Sequence, residues 1–187
     1  MIDRLPRLID NYDRLSVERA IAELRAGRPV QVQDGDRAGL VLAIDAPDPA
    51  MLGNLALWAD GKAHLVLTAP RLSYLGLTRT TPGTLALPRL DAERIRALAT
   101  APDARIDAPV GATSVIDRAG LDLAALALVL PAILVIPLAA ERLAGEALLS
   151  VRAEAIEHYR RHETTRLVIV ARAPVPLEQA ENSEFIV

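Results

Sequence analysis

Cysteine is absent from the 187 residues, which excludes disulfides, thiolate metal sites and cysteine nucleophiles together. Aromatic residues make up only 3%, so a core has to be assembled from Leu, Ala, Val and Ile in a chain that is 51% hydrophobic. Neither sign of charge dominates. Against 21 Lys and Arg stand 24 Asp and Glu, a net charge of -3 that provides no electrostatic footprint for nucleic acid. Residues 1–13 contain no uninterrupted apolar segment of the kind a secretory leader requires, and a cytoplasmic protein is expected. No internal repeat of fixed period appears.

What is present centres on residues 123–140, in which nothing can ionise. The run approaches the roughly 18 residues of a membrane span, but Pro131 and Pro137 break it, because proline lacks an N–H and clashes with the preceding turn. The expectation is a buried helix over 122–130 and a strand over 132–136 covered on both faces, the centre of a layered α/β domain.

Upstream, Ser16 is read as the cap of a helix that buries Val17, Ala20, Ile21 and Leu24 and ends at Gly27. Val30-Gln31-Val32-Gln33 alternates as a strand does, Asp34-Gly35 marks a turn, and residues 39–44 return as the second arm of a hairpin. Asp48 and Pro49 open a short helix to Leu57. Residues 64–68 read as a strand and 70–75 as a brief helix stopped by Gly76. Residues 77–88 read as a turn-rich connection. Asp91 caps a further helix, residues 100–111 form a loop, residues 141–145 add a turn, and a helix over 153–162 precedes a strand over 167–170. Residues 174–187 read as a linker, so the domain proper is 1–173, with Phe185-Ile186-Val187 resembling the start of another strand.

Candidate chemistry is sparse. Glu154, His158 and His162 lie four apart and share a helical face that could hold a metal, but Arg160, Arg161 and Glu163 make the segment read as a solvated charged face. His64, within an apolar strand, reads as a satisfied or edge histidine rather than a general base. Ser73, Ser114 and Ser150 lack the context of a nucleophile elbow. Gly111-Ala112-Thr113-Ser114 reads as a helix cap before it reads as a phosphate cradle. Asp34 and Asp36 are explained by turn chemistry and Asp45 by solvent.

The run from Ala20 through Glu23-Leu24-Arg25-Ala26-Gly27-Arg28-Pro29-Val30, followed by a strand and Asp34-Gly35-Asp36-Arg37, resembles the opening of 3,4-dihydroxy-2-butanone 4-phosphate synthase, an enzyme of the riboflavin pathway. The likeness continues through 49–76, with Leu65-Val66-Leu67-Thr68 and Tyr74-Leu75-Gly76-Leu77, and through 124–138 and 150–160. It implies a mixed sheet with helices packed on it, a homodimer, and acid/base chemistry on ribulose 5-phosphate with magnesium held by carboxylates and a histidine.

The family's reagents are missing. Where it carries Glu-Asn-Glu-Gly-Asp this chain has Ala38-Gly39-Leu40, and where it carries Gly-His-Thr-Glu-Ala the stretch 116–120 has neither histidine nor glutamate. Residues 111–119 also echo a family Gly-Ile-Ser…Asp-Arg-Ala stretch, a register in which the histidine is lost by deletion. The glutamate of the central strand falls at about Pro137. No catalytic residue and no metal ligand carries over; the residual ligand-binding candidates are Asp36, Arg37, Thr113 and Ser114.

This stripped pattern resembles the domain N-terminal to GTP cyclohydrolase II in riboflavin-pathway proteins, to which 174–187 would lead. The zinc of that enzyme needs three cysteines, none of them present here. The expectation is a non-catalytic, dimeric domain without cofactor that assists a linked or associated cyclohydrolase and has no nucleic-acid or membrane partner. The alternative is a residual sugar-phosphate enzyme, and catalysis by this chain stays open at this point.

Overall fold

A computed structural model describes residues 11–45, 49–143, 145–165, 170–175 and 183–186. Helix α1 (Tyr12–Arg25) is followed by β1 (Val30–Asp34), β2 (Arg37–Ala43), α2 (Pro49–Ala59), β3 (His64–Leu67), α3 (Ala69–Tyr74) and β4 (Gly83–Ala86). Then come α4 (Ala92–Thr100), β5 (Val110–Gly111), α5 (Val115–Leu126), β6 (Ala132–Ala139), a 3-10 turn (Ala140–Leu143), β7 (Ser150–Arg152), α6 (Ala153–Thr165), β8 (Arg172–Pro174) and β9 (Glu184–Ile186). Seven strands form one mixed sheet in the order β5-β4-β3-β6-β2-β1-β7, antiparallel except where β1 runs parallel to β7. The layered α/β expectation holds, with α5 and β6 at its centre.

Alternation along the strands sorts the core into two. Leu40, Leu42, Leu134 and Ile136 point to the side covered by α2, α3 and α4, while Val41, Ala43, Ile133 and Val135 point to the side of α1, α5 and α6. Both faces are therefore apolar, which is why β6 reads as a continuous hydrophobic run. Two close approaches seat α5 on the sheet. A Cβ at Gly39 would lie 3.0 Å from Ile116, and one at Gly120 would lie 2.5 Å from Ile133 and 3.1 Å from Val41.

Several expected boundaries move. Asn11, not Ser16, caps α1 by accepting the Arg14 N–H, and Ser16 is buried in the helix with its hydroxyl donating to the Asp13 carbonyl. The central helix runs Val115–Leu126 rather than 122–130. Its end comes before Pro131 because Leu128, in the left-handed region at φ 55°, returns the Leu128 and Val129 N–H groups to Ala125 and Ala124. Asp45, expected to face solvent alone, takes the Leu130 N–H on both carboxylate oxygens at 3.2 and 3.1 Å. Strand β4 occupies part of the expected connection 77–88; β8, at the expected boundary 173/174, pairs antiparallel with β9, which falls on the strand start expected at 185–187. The expected cap Asp48 and residues 167–169 of the expected strand lie outside the described residues, and Val170 is not in a strand. Among the described residues no helix is long and apolar enough to cross a membrane.

Candidate functional site

The hairpin places Asp36 in its turn and Arg37 at the start of β2. Both are exposed, and neither side chain has a hydrogen-bond or ion-pair partner among the described residues. Across the ladder Arg37 faces Ala139 and Gly39 faces Pro137. Proline is tolerated there because β3 pairs with β6 only as far as His64↔Val135, leaving the end of β6 with a single neighbour. The first turn of α5 meets the same end of the sheet through Ile116 and Gly39.

That turn holds Asp117, the one charged side chain buried among the described residues. Ser114 caps α5, its hydroxyl accepting the Asp117 N–H at 3.1 Å while the Asp117 carboxylate accepts the Ser114 N–H at 2.7 Å. The second oxygen of Asp117 meets His64 Nε2 at 2.7 Å. Asp117 is 3% exposed. Burial pushes its carboxyl up, but the His64 contact and the hydrogen bonds with Ser114 prevail and hold it below the ordinary carboxylate value. His64 is thus a satisfied histidine, as its apolar strand suggested.

Of the four candidates, Ser114 is spent as a cap, and Thr113 lends its carbonyl to Arg118 at 3.1 Å. Asp36 and Arg37 share an end of the sheet with them but are joined to them by no hydrogen bond. The Asp117–His64 pair was missed as a unit. Its local half is legible as Ser-x-x-Asp ahead of an apolar run, whereas His64 is 53 residues distant in sequence. On α6, Glu154, His158 and His162 are exposed, with His162 facing Glu163 at 3.7 Å. Among the described residues no three His, Cys, Asp or Glu side chains are grouped to hold a metal. At the sheet end Ala38, Gly39, Leu40 and Pro137 supply no side-chain oxygen for a hard cation, and Asp36 is the carboxylate of the hairpin turn.

No family model matches the chain. A GTP cyclohydrolase-2 from Azospirillum brasilense is 36% identical over 195 residues, spanning 95% of this chain and 50% of that protein. One from Xylella fastidiosa is 31% identical over 173 residues, spanning 91% of this chain and 44% of that protein. The chain therefore spans about half the length of the curated relatives it matches. Among solved structures, a two-domain 3,4-dihydroxy-2-butanone 4-phosphate synthase from A. baumannii superimposes with a TM-score of 0.63 at 22% identity, over 91% of this chain and 64% of that one. A cation-free 3,4-dihydroxy-2-butanone 4-phosphate synthase gives 0.62 at 18% identity, over 79% and 98%. The same enzyme name attaches to a structure with two magnesium ions at 0.60 and 18%, over 79% and 97%. The chain has the fold of 3,4-dihydroxy-2-butanone 4-phosphate synthase and is similar in sequence to about half the length of the two GTP cyclohydrolase-2 proteins.

Proposed function

We propose that this domain serves riboflavin biosynthesis without catalysing a step, assisting a linked or associated GTP cyclohydrolase II domain by dimerising, stabilising or regulating it. One observation carries the reading: at the sheet end where the synthase resemblance calls for acids, the chain has Ala38, Gly39 and Pro137. An alanine methyl, a glycine hydrogen and a proline ring carbon neither grip a divalent ion nor move a proton. The sequence relatives support it, since they are named for the cyclohydrolase and not for the synthase. In this reading the domain is a cytoplasmic homodimer and holds no metal.

The test is a longer protein in which the domain precedes a cyclohydrolase domain, compared with the same protein lacking it. Removal is expected to lower the association state in sedimentation, the melting temperature or the rate of GTP ring opening. If all three are unchanged, the assisting role is wrong. A second reading, a residual sugar-phosphate enzyme, is favoured by Asp36 and Arg37, which are exposed and without a side-chain partner among the described residues. Magnesium-dependent turnover of ribulose 5-phosphate that disappears in Arg37→Ala would establish it over the first.

A further inference from the structure

A cleft between the tail of β4 and α4 takes no part in the reading above. Pro109, which has no N–H to offer a ladder, precedes β5. Strand β5 pairs with β4 only at Thr84↔Gly111 and Leu85↔Val110, and the segment before it leaves the strand. The space left is about 540 Å³, within the roughly 300–1,000 Å³ of small-molecule sites. Its floor is aliphatic, made by Leu85, Leu87, Leu98 and Ile106.

The charges at its mouth are unequally committed. Asp91 accepts the N–H groups of Glu93 at 2.9 Å and Arg94 at 3.1 Å, as the cap of α4. Asp107 is paired with the Arg94 guanidinium. Arg89 is exposed and has no side-chain partner among the described residues. The two acids are thus satisfied, and the uncommitted charge is a guanidinium beside an apolar floor.

We propose that this cleft binds a small amphipathic anion, with an aliphatic or aromatic body on the Leu85–Leu98 floor and a carboxylate or phosphate group held by Arg89. A guanidinium matches either head group with two parallel N–H donors. A neutral ligand leaves Arg89 unused, and an anion without an apolar body leaves the floor wet. The site lies on the sheet face opposite the Asp117–His64 pair and is independent of any cyclohydrolase role.

The test is titration of the isotope-labelled chain with 4-phenylbutyrate, phenyl phosphate and the neutral 4-phenylbutan-1-ol, followed by amide chemical shifts. Both or one of the anions should saturate, shifting amides of 85–91, 94 and 106–108, and the tighter of the two identifies the head group. The alcohol should bind roughly tenfold or more weakly, the cost of losing a charged hydrogen bond. Arg89→Glu should abolish the preference for anions, Arg89→Lys should retain part of it, and Ala108→Trp, which fills the cleft, should remove binding of all three. The proposal is overturned if neither anion saturates, if the alcohol binds as well as the anions, if Arg89→Glu binds them unchanged, or if the shifts fall outside the cleft.

Discussion

Asp117 closes the first turn of α5 and at the same time receives His64 from β3, so one carboxylate ties a helix start to a strand start. Its folded form ionises more readily than the unfolded chain's carboxyl. The stability it contributes is therefore present above the unfolded value near pH 4 and is lost as pH falls through the lower folded value. Asp117→Asn is expected to cost about 1–3 kcal/mol at neutral pH, and the gap from the parent protein should narrow below about pH 4; urea melts at pH 7 and pH 3 check both. A second, half-buried linkage is Arg71, whose guanidinium donates to the carbonyls of Leu98 at 2.9 Å, Ala97 at 3.2 Å and Ala101 at 2.6 Å, closing the end of α4. Lysine keeps the charge there but not the planar fork. Arg71→Lys should lose about 1 kcal/mol, read as a lower midpoint with unchanged denaturant slope. Neither linkage is written in a local pattern, because each joins residues of different elements.

Elements with their own start and stop signals were legible. Asp91 caps α4, Gly76 follows the end of α3, and Gly35 at φ 61° makes the hairpin turn between β1 and β2, whereas Thr68, read as the last residue of a strand, is the cap of α3. The boundaries went astray where two signals competed. Ser16 has a cap residue's chemistry, yet Asn11 stands a turn earlier and takes that place. Pro131 reads as the stop of the central helix, although the chain has already turned at Leu128. Strand β4 is only Gly-Thr-Leu-Ala among prolines, and no local pattern marks it; its pairing with β3 creates it. The seating of α5 was equally invisible, because it depends on which side chains face Gly39 and Gly120. Gly120→Val is expected to destabilise by about 1–3 kcal/mol through overpacking against Ile133 and Val41, measurable by thermal melting.

At the scale of the whole molecule, β6 is the partition between two cores and belongs to both. Leu134 is packed among α2, α3 and α4, and Val135 among α1, α5 and α6. Truncating either should lower one common transition, with Leu134→Ala costing about 2–5 kcal/mol. Trp58 packs against the first core and its fluorescence reports it, while helical circular dichroism weighs both. Coincident midpoints are the expected result, and a separated one would mean the layers unfold independently. At the candidate site the residues Ala38, Gly39 and Pro137 were legible in the sequence, and the fold adds that Gly39 and Pro137 face each other across the ladder. The cleft beside Arg89 was not legible, since it exists only where one strand stops short of its neighbour. A last consequence follows from hydrophobicity on both sides of β6. Sliding that strand by one residue would exchange Ile133 with Leu134 and Val135 with Ile136, oil for oil, so solvent avoidance alone can hardly tell right alignment from wrong. Steric fit has to decide instead: the two notches without a side chain at positions 39 and 120, and the imino acid at 137, act as the key that admits one alignment.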